Sequence, residues 1–142
     1  MSTPTLTMSN GGEISAATTS SISTGVAGSV QLDTGALTLG TGARVDSGTT
    51  GSAQGGSLAI TAADSISISG SGSGLFSTAS STGNAGQITV SAAGSAPVPT
   101  LSIADGGKIS VATLGAGNAG SVSLNANTLD LTGGAQVVSS TN

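Results

Sequence analysis

Gly117-Asn118-Ala119-Gly120, Ser121-Val122-Ser123-Leu124, Thr128-Leu129-Asp130-Leu131 and Gly133-Gly134-Ala135-Gln136-Val137 form one run near the end of the chain. It holds three short stretches in which aliphatic residues take alternate positions, separated by glycine. A period of two is that of a strand with one buried and one exposed face. Glycine and asparagine between such stretches supply turns.

The same layout recurs upstream. A glycine opens a strand at Gly28, Gly56, Gly86 and Gly120, spaced 28, 30 and 34 residues apart. The first strand carries Val30/Leu32, Leu58/Ile60, Ile88/Val90 and Val122/Leu124. The second carries Leu37/Leu39, Ile66/Ile68, Leu101/Ile103 and Leu129/Leu131. After a glycine turn the third strand has one anchor, read as Val45, Phe76, Ile109 and Val137. Leu6, Met8 and Ile14 fit the second and third strands of a preceding, incomplete unit. Residues 93–99, with two prolines, read as an inserted loop, because proline breaks a central strand.

Strands that recur in fixed order predict stacked coils, each burying its aliphatic face only against its neighbours. The expected fold is all-β: a right-handed parallel β-helix (β-solenoid) of about five coils, three short strands per coil and no helix. It forms one domain over 1–142, with units of roughly 5–26, 27–54, 55–84, 85–118 and 119–142, expected to be part of a longer array or fibre.

Composition fits this reading. The chain of 142 residues has 24 glycines, one phenylalanine and no tryptophan, tyrosine or histidine. Disorder goes with low hydrophobicity and high charge; here 36% of residues are hydrophobic and 6% charged. The net charge is −4 and the only basic residues are Arg44 and Lys108, which argues against nucleic-acid partners. No apolar run is long enough to span a bilayer as a helix, and no signal peptide is visible. The absence of cysteine removes disulfides and thiolate chemistry.

The pattern Gly-Asn-Ala-Gly, an alternating strand, then Leu-x-Leu-x-x-Gly-Gly/Ala-x-Val/Ile resembles the repeat region of filamentous-haemagglutinin-like bacterial exoproteins, many of them two-partner-secretion adhesins. It covers about residues 5–141 and is clearest at 83–92 and 117–141. The resemblance implies an extracellular or cell-surface location and a stalk or adhesive fibre. Its partners would be further coils or identical subunits stacked end to end, and host glycans or surfaces.

No catalytic, cofactor or metal site is expected. Carbohydrate-cleaving chemistry needs paired carboxylates or a carboxylate–cation cluster on one face. Glu13, Asp33, Asp46, Asp64, Asp105 and Asp130 fall mostly on different faces of the coil frame. Two surface features remain. Glu13 and Arg44 occupy equivalent places one coil apart and are expected to form a cross-coil ion pair. The outward positions of the second strand are rich in hydroxyls, and Thr7, Thr38, Ser67, Ser102 and Thr132 form a candidate row for binding a glycan, a surface or ice.

Overall fold

The computed structural model describes residues 4–19 and 25–142. Its strands are β1 (Thr5–Met8), β2 (Glu13–Ser15), β3 (Val30–Gly40), β4 (Arg44–Asp46), β5 (Leu58–Ser69), β6 (Gly74–Ala79) and β7 (Gln87–Ser91). They continue as β8 (Val98–Ala104), β9 (Lys108–Thr113), β10 (Ser121–Leu124), β11 (Ala126–Leu131) and β12 (Gln136–Thr141). A single 3₁₀ turn, Ala93–Ser95, is the only helical element among the described residues.

Every strand pair is parallel and joins equivalent places in successive coils. Val30, Leu58, Ile88 and Val122 lie over one another, as do Leu32, Ile60, Val90 and Leu124. On the next segment the columns are Leu6-Leu37-Ile66-Leu101-Leu129 and Met8-Leu39-Ile68-Ile103-Leu131. The chain is therefore a β-solenoid with a seven-stranded sheet and a five-stranded one, the latter in the order β12-β9-β6-β4-β2. Leu37, Leu39, Ile66, Ile68, Leu101 and Ile103 are buried to within 1%.

Coil spacing depends on the corner before β3, β5, β7 and β10. A Cβ on Gly56 would run into the carbonyl oxygen of Gly28, one on Gly86 into that of Gly56, and one on Gly120 into that of Gly86. These glycines have no positive φ; they are required by close backbone approach. Positive φ is needed instead at the corner before the five-stranded sheet. In four coils it falls on adjacent pairs, Asn10-Gly11, Thr41-Gly42, Asp105-Gly106 and Gly133-Gly134, and in the longer corner before β6 on Gly70 and Gly72. Thr41, at φ 51°, is β-branched, a residue type that rarely takes this conformation.

Three expectations change. The third-strand anchor is Leu75, not Phe76: Val45 pairs with Leu75 and Leu75 with Ile109. Leu75 is fully buried, while Phe76 lies outward, because the core column is too narrow for a ring. The first and second strands are continuous in two coils, as β3 and β5, with a register shift between Thr34 and Ala36 rather than a break. The inserted loop is shorter than 93–99: Val98 is buried and pairs with Ala126, so Val98 and Pro99 already belong to β8.

Buried hydroxyls close the second layer of the interior. Ser47 and Ser77 both donate to the carbonyl of Gly56, at 2.8 and 3.1 Å. Thr113 donates to the carbonyl of Asn118 at 2.7 Å and accepts from the Ala85 amide. An unpaired hydroxyl here would cost about 1–3 kcal/mol; among the described residues no buried side-chain polar atom lacks a partner.

Leu101 and Leu129 occupy one column at different depths, fully buried and 46% exposed. Leu101→Ala is expected to cost about 2–5 kcal/mol in urea unfolding of dilute protein. Leu129→Ala is expected to cost roughly half or less, in proportion to the smaller area it removes from water. Equal costs would contradict this packing.

Candidate functional site

Three surfaces of the solenoid are distinctive. The first is the hydroxyl row. Thr7, Thr38, Ser67 and Ser102 are successive partners across β1, β3, β5 and β8, so they stand one strand spacing, about 4.8 Å, apart. The fifth partner is Asp130. Thr132 is not in this row: Leu131 pairs with Ile103, which puts Thr132 in the next outward row with Ala104, Ser69 and Gly40. The row thus offers four hydroxyls ended by a carboxylate.

The second surface is the outer face of the five-stranded sheet. Glu13, Arg44, Gly74, Lys108 and Gln136 are successive partners there. Glu13 and Arg44 do lie one coil apart, but they form no ion pair. The Arg44 guanidinium turns to Asp46 on its own strand, 3.8 Å away, and lies over the Phe76 ring, 4.5 Å from the centroid. The ring contact is worth about 0.5–1 kcal/mol at an exposed site, against ~0–1 kcal/mol for an exposed ion pair. Two weak partners within reach of one planar cation outweigh a single one. The outward Phe76 makes this possible.

The third surface is the C-terminal end of the solenoid. β10, β11 and β12 have one neighbour each. Leu129 and Leu131 are each 46% exposed, and Val122, Leu124, Ala135 and Val137 are only partly buried. These residues continue the core columns, so the apolar cross-section of the coil faces outward here. At the other end Leu6, Met8 and Ile14 are likewise half-buried.

The acids are dispersed. Glu13, Asp33, Asp46, Asp64 and Asp130 lie on β2, β3, β4, β5 and β11, and Asp105 lies in a corner. Asp33 accepts from the Gln31 side chain at 3.3 Å. Among the described residues no three of His, Cys, Asp and Glu gather as a metal site. No helix there is long and apolar enough to cross a membrane. Asn84 and Asn118 stack in the corner before β7 and β10, the Asn118 amide donating to Asn84 Oδ1 at 2.8 Å. The chain matches no protein-family model, no curated protein and no solved structure.

A double-mutant cycle separates the two partners open to Arg44. Arg44→Gln with Phe76→Leu is expected to show a coupling of about 0.5–1 kcal/mol in urea unfolding. Arg44→Gln with Glu13→Gln is expected to show none. Coupling to Glu13 alone would contradict the geometry.

Proposed function

We propose that this protein is a structural and adhesive segment of a bacterial surface or secreted fibre, acting as a rigid, non-enzymatic unit. The observation that carries this reading is the open C-terminal end. Unpaired strand edges and half-exposed core aliphatics in one surface form a template for another coil. The extracellular, bacterial setting is supported by the resemblance of the repeat to haemagglutinin-like exoproteins.

That end is a template for a further coil, of a longer chain or of a second copy; a second copy would supply its N-terminal coil. The two ends carry the same columns, so β1 can add to β11 and β2 to β12 in the register used throughout. Leu6 then covers Leu129, Met8 covers Leu131 and Ile14 covers Val137. No like charges meet, because Asp130 faces Thr7 and Gln136 faces Glu13. β10 keeps a free edge, since the described residues of the first coil include no strand at its place. Such a head-to-tail contact does not close on itself, and it builds a filament.

The chain has no cysteine, so engineered pairs report cleanly. Within one chain Thr7 and Asp130 are four strand spacings apart, roughly 19 Å. Across the junction they are neighbours at ~4.8 Å, within the Cα separation of a disulfide. Oxidation of the Thr7→Cys/Asp130→Cys variant is expected to give a ladder of covalent oligomers. Thr5→Cys/Asp130→Cys, displaced by two residues, is expected to stay monomeric. No ladder at millimolar protein overturns end-to-end stacking.

A second reading is favoured by the hydroxyl row of Thr7, Thr38, Ser67 and Ser102, which fits a glycan- or surface-binding module, with ice a further candidate. Binding to a glycan panel lost on Thr38→Val and Ser67→Ala supports it. An unchanged panel, with no thermal hysteresis at millimolar protein, removes it.

A further inference from the structure

Two residues of the chain are basic and one is aromatic. All three, Arg44, Lys108 and Phe76, line one open groove of about 410 Å³ on the outer face of the five-stranded sheet. That volume lies within the roughly 300–1,000 Å³ of small-ligand sites. In a chain this poor in cations and rings, their convergence singles the groove out from the Ser/Thr surface around it.

Register builds the floor. Arg44, Gly74 and Lys108 are successive partners on β4, β6 and β9. The two cations therefore flank Gly74 at two strand spacings, about 9–10 Å from backbone to backbone. A Cβ on Gly74 would run into the carbonyl oxygen of Lys108, so this position stays without a side chain. The Phe76 ring leans over the notch, its Cε2 3.1 Å from where that Cβ would stand. Ser71, Gly72, Gly106 and Gly134 form one wall, and Gln136, the partner of Lys108 on β12, lies at the far end.

The cations have different duties. Arg44 is held by Asp46 and covers one face of the ring. Lys108 forms no ion pair among the described residues. The groove thus presents a ring braced from one side, an ammonium free to bind an anion, and a side-chain amide able both to donate and to accept.

We propose that the groove binds a hexuronic acid residue of an acidic glycan. The C–H face of the sugar ring packs on the exposed part of Phe76, whose π-face is negative and meets polarised C–H groups favourably. The sugar carboxylate takes a charge-assisted hydrogen bond from Lys108, and its hydroxyls meet Gln136 and the glycine corners. A simple carboxylate would leave the ring unused, and a neutral sugar would leave the lysine unused. This site is on a different sheet from the hydroxyl row and does not depend on fibre formation.

The test is calorimetric titration of the intact chain with a uronic-acid trisaccharide and with the neutral trisaccharide of the same linkage. The acidic sugar is expected to bind, and more weakly as salt rises. The neutral sugar, and the acidic sugar against Lys108→Gln or Phe76→Leu, are expected to bind at least about tenfold more weakly, as for one lost charge-assisted bond or ring contact. Ser67→Ala, on the other sheet, is expected to leave the affinity unchanged. Circular dichroism of each variant is expected to match the parent, since these side chains lie outside the core columns. No binding at millimolar sugar, equal binding of the neutral sugar, or loss on Ser67→Ala with none on Lys108→Gln overturns the assignment.

Discussion

The solenoid rests on one contact repeated at one corner: the α-carbon of a glycine against the carbonyl of the equivalent glycine in the coil below. Gly56 sits on Gly28, Gly86 on Gly56 and Gly120 on Gly86. A methyl group at any of them would have to lift its coil, and lifting a coil lengthens every ladder hydrogen bond on both sheets at once. It would also part the aliphatic columns, which gain from contact only at van der Waals distance. Glycine spacing, strand pairing and core packing are thus one constraint seen at three scales.

The columns were legible in the sequence because period two and the recurring glycine fix which residues face inward and which coil each belongs to. Register within a coil was less legible where two apolar residues stood side by side. Leu75 and Phe76 both satisfy an apolar anchor, and the longer corner at 70–74 hid the count: seven residues separate Ile68 from Leu75, against six elsewhere. Column width decides between them, and width is a property of the neighbouring coils. The interior serines and threonines were missed for a related reason. Ser47, Ser77 and Thr113 have inward parity on the third strand, but a hydroxyl reads as surface until its carbonyl partner in the next corner is known.

The candidate surfaces show the same division. That Glu13 and Arg44 would face each other followed from the repeat alone. Which partner the guanidinium takes did not, because it depends on a ring one coil above. Asp130 rather than Thr132 completes the hydroxyl row for a backbone reason: the place is set by the pairing of Leu131 with Ile103. The repeat fixes backbone positions, whereas side-chain encounters across coils also need rotamers. The two sheets consequently differ in character, one carrying a line of hydroxyls and the other a cationic, aromatic groove.

The excursion at residues 92–97 has a consequence of its own. It leaves the wall between β7 and β8, is closed by its own bond from the Ala92 amide to the Ala96 carbonyl at 2.7 Å, and is tied to the next coil by the Asn125 side chain, which donates to the Ser95 carbonyl at 2.8 Å. β5 runs unbroken below it and pairs with both flanking strands, while β10 and β11 cross above with Asn125 alone between them. Pairing with β5 stops at Thr61–Ser91 and resumes at Ser65–Thr100, so eight residues stand where β5 has three, and the register on either side is kept. Lengthening such a loop costs only slowly growing closure entropy. This is therefore the natural graft point of the molecule, where foreign sequence can be displayed on the flank while the frame carries the load.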